Sequence, residues 1–335
     1  MPKRRSIQFV YIALLAISLT LGQLIPQPAL EVSADGYIKW VDFTLTAELL
    51  RAAAECDIAS WQAARESGQE QRVHFVELLA LCGAIYGGNY SRLGASKLKE
   101  YAAKLEAGAT IYDLTENHKN LEYYLEAYGA ALGGVMGDYA VYTSEGLSKR
   151  YGVKLFSPIA AGYYYNDYDD FGASRSYGYR RPHLGHDMMG SVGTPIVAVE
   201  SGYVEACGWN QYGGWRIGIR SFDGKRYYYY AHLRRGHPYN DIYEGKQITA
   251  GEVIGYLGMT GYSTKEDTNN IDTPHLHFGL QLIFDKSQKD GTNQIWLDLY
   301  EYTSFLSRLR SEVYYDKETN EFYAASPIID LDAPD

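Results

Sequence analysis

GWRIGIRSFDGKRYYYYAHL, residues 214–233, decides the fold of the second half of the chain. Apolar and β-branched residues alternate with polar ones on both sides of Asp223-Gly224, a dipeptide suited to the positive-φ positions of a tight hairpin turn. The run predicts two antiparallel strands, and the tyrosines at 227–230 would put two rings on each face. Working outward, GTPIVAVESGYVEACGW (193–209) and QITAGEVIGYLGMTG (247–261) share this texture, with Ser201-Gly202 and Ala250-Gly251 as turn dipeptides. The region 150–311 is therefore predicted to be mainly antiparallel β. It closes with apolar residues at helical spacing over 296–310, and the acidic tail at 312–335 is expected to be loose.

Upstream the period changes. LTAELLRAAAECDIASWQAA (45–64), VHFVELLALCGAIYGG (73–88), SRLGASKLKEYAAKLEAG (91–108) and NLEYYLEAYGAALGGVMG (120–137) repeat apolar residues at helical spacing. Residues 35–149 are expected to form a small all-α domain whose apolar stripes read as core and which shows no chemistry of its own. The fold class is α+β, with helices and strands segregated along the chain. Before them, Lys3, Arg4 and Arg5 precede an uncharged run at 7–25 that Pro26 and Pro28 end. This pattern is an export signal at 1–34. It is read as a retained membrane anchor or, if cut after the small residues Val32-Ser33-Ala34, as a signal peptide, and either form places the rest outside the cytoplasm.

Composition narrows the function. The 335 residues are 46% hydrophobic, enough for substantial cores, and 31 Lys+Arg against 41 Asp+Glu give a net charge of −10. That acidity speaks against nucleic acid as a partner. Cys56, Cys82 and Cys207 form no C-x-x-C pair, so neither a disulfide framework nor a cysteine metal knuckle is expected.

Six of the eight histidines fall between 183 and 277. His183 and Asp187 lie in Pro-His-Leu-Gly-His-Asp, where Pro182 and Gly185 oppose a helix and a loop or strand end would let nitrogen and carboxylate converge on one cation. His275 and His277 form the H-x-H of PHLHFGLQL (274–282), a strand on which residues two apart share a face. His232 closes the tyrosine-rich strand. Together these segments supply mixed nitrogen and oxygen ligands for zinc, with imidazoles left over to handle protons. His74 and His118 have no partner pattern, and His237 reads as a loop residue.

These residues resemble the lysostaphin/LytM-type zinc endopeptidases that cut peptidoglycan cross-links. The matching elements are H-x-x-x-D at His183 and Asp187, Gly193-Thr194-Pro195, Tyr-Ala-His-Leu around His232 and Pro-His-Leu-His-Phe around His277, in that order, over about residues 150–285. The resemblance implies that His183, Asp187 and His277 bind Zn²⁺ and that His232 and His275 are the catalytic imidazoles, with either able to serve as the general base. It also implies a substrate groove lined by an antiparallel sheet, and peptidoglycan stem or cross-bridge peptides as substrate. Rival readings are a scaffold that binds wall peptides without cutting them and a zinc D,D-carboxypeptidase. The helical domain could receive an envelope protein partner.

Two features depart from the family pattern. Residues 265–273 are an insertion ahead of the histidine pair, expected to build part of a groove wall and to alter peptide specificity. His186 sits beside Asp187 and is expected to point away from the metal. The arginines at 180, 181, 216, 220, 226, 234 and 235 cluster in the catalytic half, read as a solvated face or as an attractor of anionic wall polymer.

Overall fold

The structure, a computed structural model, describes residues 37–177, 179–289 and 293–334. The export or anchor segment expected at 1–34 lies outside the described residues, and among those residues no helix is long and apolar enough to cross a membrane. The chain divides into Met1–Lys39 and Trp40–Asp335. Of the first unit only residues 37–39 are described, with Lys39 Nζ 5.5 Å from the Tyr37 ring centre.

The second unit begins with the helices Ala47–Ser67, Phe75–Tyr86, Ala95–Glu106 and His118–Leu132. Thr46 Oγ1 accepts from Leu49 N to cap the first, and Glu301 Oε2 accepts from Ala47 N at 2.7 Å, a carboxylate at the positive end of the helix dipole. The second helix has no capping side chain at His74. Asp57, buried in the first helix, substitutes by accepting from Phe75 N at 2.7 Å, and it also receives the Tyr151 hydroxyl at 2.6 Å. Cys82 is fully buried and Cys56 is half-buried. The helical pattern was expected to run to 137, but extended backbone takes over at the hairpin Met136–Thr143 and Gly146–Val153.

An eight-stranded antiparallel sheet dominates the rest. Its strands run in the order Gln247–Ile248, Gly202–Asn210, Gly214–Ser221, Arg226–Ala231, His275–Leu282, His186–Gly190 and Tyr165–Asp167, with Ile295–Trp296 added beside His275–Leu282. The turn at Asp223-Gly224, with Gly224 at φ 76°, joins two of these as the sequence predicts. Tyr228 and Tyr230 are fully buried, while Tyr227 and Tyr229 line the groove on the opposite face. Only Tyr300–Leu306 of the expected segment 296–310 is helical.

The C-terminal tail corrects its expectation. Val313–Asp316 pairs with Glu321–Ala324, and Ile328–Asp330 adds to the edge of Met136–Thr143. Lys154 Nζ clasps Asp330 and Asp332 at 2.8 and 2.6 Å, so an apparently loose acidic run is held by paired backbone and an ion pair. Arg226 also departs from a solvated reading. It is 3% exposed, donates to Glu200 Oε2 at 2.7 Å, and sends Nη1 to the Ala130 carbonyl at 2.6 Å in the last helix before the sheet.

Candidate active site

Sheet register assembles the site. His277 pairs across one strand boundary with Asp187 and across the other with Ala231, and His232 directly follows that alanine. His183 lies just beyond the strand Tyr179–Pro182, its backbone N–H donating to the Ala173 carbonyl at 2.9 Å. Four sequence segments therefore meet at one end of the His275–Leu282 strand.

The three residues implied as ligands converge. His183 Nε2 lies 3.0 Å from both Asp187 Oδ1 and His277 Nδ1, and His277 Nδ1 lies 2.9 Å from Asp187 Oδ1. All three can offer a ligand atom to a single ion. His183 Nδ1–H donates to Asp170 Oδ1 at 3.0 Å, which leaves the Nε2 lone pair facing its two partners. With their lone pairs free, three acceptor atoms this close repel one another unless a cation or a shared proton lies among them. Two imidazole nitrogens and a carboxylate oxygen form a donor set suited to zinc, with fewer than four protein ligands as in open catalytic sites. Gly185 makes the convergence possible, because a Cβ there would come within 2.6 Å of His277 Nε2.

Electrostatics agree with a cation site. Burial would raise the Asp187 pKa, but the close His183 and His277 imidazoles, which favour its charged form, outweigh it and hold the carboxyl well below its usual range. Burial also opposes charge on His183, yet Asp187 and Asp170 prevail and raise its pKa. For His277 burial wins and the pKa falls. Arg175 Nη2 reaches Asp187 Oδ2 at 3.2 Å and also pairs with Asp170, tying the ligand carboxylate and the residue that orients His183 to one guanidinium.

The remaining two histidines share one arrangement. His232 Nδ1 lies 2.9 Å from the Thr260 carbonyl and His275 Nδ1 lies 2.8 Å from the Thr273 carbonyl. A carbonyl only accepts, so each Nδ1 carries the proton and each Nε2 is the available base. The rings lie 4.8 Å apart, and His275 Nε2 is 3.7 Å from Asp187 Oδ1. His232 adopts φ 61°, an uncommon backbone state for a residue with a side chain. Gly261 gives it room, since a Cβ there would meet the Tyr212 carbonyl at 2.4 Å and His232 Nδ1 at 3.0 Å. Burial, reinforced by His275 and His277, holds the His232 pKa well below 6.5.

The site opens into a cleft of about 590 Å³ bordered by His183, Asp187, His232, His275, His277 and Tyr229. The inserted loop supplies Ile271, Asp272 and Thr273 to its wall, as expected. Asp267 pins that loop by accepting from Trp215 Nε1 at 2.9 Å and Gly236 N at 2.8 Å.

Every residue assigned a site role from the sequence is present in this cluster. His186 faces away, its Nε2 2.9 Å from Asp167 Oδ2, because neighbours on a strand alternate. His237 pairs with Glu321 at 2.6 Å, and His118 contacts the Tyr112 carbonyl at 3.2 Å. Sequence reading did not find Asp170 or Arg175. Asp170 is one of three acids at 167–170 and Arg175 lies in the short strand Ser174–Tyr177, and neither has a spacing that singles it out.

Comparison with known proteins agrees with this geometry. Residues 181–290 match Peptidase family M23, and the chain carries a lysostaphin/LytM-type domain of that family. It is 39% identical over 126 residues to the L-Ala--D-Glu endopeptidase of Bacillus subtilis, covering 37% of this chain and 36% of that protein. It is 40% identical over 97 residues to lysostaphin of Staphylococcus simulans, covering 29% of this chain and 17% of lysostaphin. The matches thus span little more than a third of these curated relatives at most. A solved Ruminococcus gnavus protein assigned to the glycyl-glycine endopeptidase lytM shares the fold, with a TM-score of 0.51 at 23% identity over 87% of this chain and 96% of that one. That shared fold extends beyond the matched family domain.

Proposed function

We propose that this protein, through its M23 domain, is a zinc-dependent metalloendopeptidase that hydrolyses peptide bonds in peptidoglycan stem or cross-bridge peptides outside the cytoplasm. The observation that carries the reading is the triangle of His183 Nε2, Asp187 Oδ1 and His277 Nδ1, with sides of 2.9 to 3.0 Å, beside two imidazoles whose Nε2 atoms are available. Zinc held by these three ligands would act as a Lewis acid and make water acidic enough to ionise near neutrality.

The chain's own groups handle the protons. Neutral His232 and His275 each keep Nδ1–H on a backbone carbonyl and offer Nε2 to take a proton from attacking water, then return it to the leaving amine. A protonated Nε2–H on either ring can instead stabilise the oxyanion. The depressed pKa of His232 keeps its ring neutral, with Nε2 open as an acceptor. Asp170 and Arg175 orient the ligands. The complete donor triangle favours an enzyme over a wall-binding scaffold.

The test is mass spectrometry of muropeptides released from purified cross-linked peptidoglycan by the zinc-loaded chain. New peptide termini that disappear with His277→Ala support the reading. Failure to cleave several wall types with zinc bound refutes it, and release of terminal D-alanine alone would identify a carboxypeptidase.

A further inference from the structure

The metal-site cleft continues past His277 into a second cleft of about 750 Å³, and the two share Arg181, Tyr212, Tyr229 and His277. Its described lining brings together Arg181, Arg216, Arg220 and Lys289 against one carboxylate, Glu205. Glu205 is already engaged. Arg220 Nε and Nη2 donate to its two oxygens at 2.7 and 3.2 Å, and Lys289 Nζ lies 2.7 Å from Oε1. Burial would raise the Glu205 pKa, but these cations outweigh it and keep the carboxyl ionised.

Arg181 and Arg216 have no carboxylate partner among the described residues. Arg181 Nη2 donates to the Tyr262 hydroxyl at 2.7 Å, and its guanidinium lies 5.7 and 5.5 Å from the Tyr212 and Tyr262 ring centres. This aromatic seat fixes the direction of the charge. Arg216 makes no side-chain hydrogen bond among the described residues, and the Nε of each arginine is buried without a partner. Both side chains are half-buried in the cleft wall with one guanidinium nitrogen each hidden and unpaired, and a planar carboxylate supplied by a ligand is the natural complement of the edge that remains open. Beside the metal site the lining carries both signs, with Arg175 and, outside the ligand set, Asp272 on the inserted loop. The excess of cations over acids is therefore concentrated in the second cleft.

We infer that Arg181 and Arg216 form a specificity site for a free carboxylate on the substrate peptide, placed on the His277 side of the scissile bond. The inference rests on the peptidase reading and names its substrate class: acidic stem peptides in preference to uncharged glycine bridges. A carboxylate belonging to the peptide, rather than to a separate wall polymer, is indicated because the cationic cleft and the metal-site cleft are continuous.

The test compares one synthetic stem peptide carrying its free carboxylate with the same peptide amidated at that carboxylate. Binding to the full zinc-loaded chain is followed by calorimetry and cleavage by mass spectrometry. A charged hydrogen bond of this kind corresponds to a preference for the acid of about ten- to a hundredfold. Arg216→Gln and Arg181→Gln should bring the acid-to-amide ratio towards one, and Arg216→Lys should keep an intermediate ratio. Equal binding of acid and amide by the unaltered protein overturns the inference, whatever the variants do. Acid-selective binding without cleavage of either peptide would support the carboxylate site and overturn the peptidase reading.

Discussion

Asp170 Oδ1 lies 3.0 Å from His183 Nδ1, and this contact determines which nitrogen of the ring is left for a metal. A carboxylate behind a ligating imidazole fixes its tautomer and raises its basicity. Asp170→Asn should weaken zinc binding about 10- to 100-fold in a competitive chelator titration. Unchanged affinity would show that the contact is incidental.

His186 cannot take the place of His277 in the donor triangle, because it is turned to the other face and paired with Asp167. His277→Ala should lose bound zinc by elemental analysis and lose peptide cleavage with it. A variant that kept both would refute the ligand assignment.

The two imidazoles outside the triangle should behave differently. His232→Ala and His275→Ala should retain zinc while turnover falls by roughly two to four orders of magnitude. Loss of the metal from either variant would move that histidine into the ligand set.

The inserted loop gives a pH signature apart from the metal. Hydrogen bonds from Trp215 Nε1 and Gly236 N lower the Asp267 pKa from 3.8. A carboxyl with a depressed folded-state pKa stabilises the fold above its unfolded value and loses that contribution as pH falls through the folded one. Acidification past 3.8 and through the lower folded-state value should therefore free the Trp215 indole from Asp267, seen as a change in tryptophan emission. Asp267→Asn should remove this component, and an identical acid transition in that variant would assign it elsewhere.

Arg226 supports a larger structural effect. Removing it leaves Glu200, 6% exposed, without its guanidinium, so Arg226→Ala should destabilise the fold by roughly 3–5 kcal/mol in urea unfolding. A loss within 1 kcal/mol of zero, on the order of a surface pair, would show that water replaces the contact.

The sequence exposed the features that depend on local repetition. Side-chain alternation along a strand put His275 and His277 on one face, separated Tyr227 and Tyr229 from Tyr228 and Tyr230, and turned His186 away from Asp187. The assignment of metal to His277 rather than His275 came from family resemblance, because a two-residue period makes the pair equivalent. Features created by distant contacts were not visible. Asp170 acquires meaning only when its loop folds over His183, Arg226 only when the helix ending near Ala130 arrives, and the acidic tail only when Lys154 and the strand at 136–143 receive it.

The reach of Arg226 to the Ala130 carbonyl also bears on how this catalytic sheet can be moved between proteins. A graft of residues 181–290 would carry Arg226 and Glu200 to the new host but leave behind the helix end that receives the second arm of the guanidinium, and the Tyr302 ring beside Tyr228. The active-site residues would arrive intact on a sheet whose rear face had lost its covering. For this chain the smallest transferable part is set by what lies behind the histidines, and it begins in the helices.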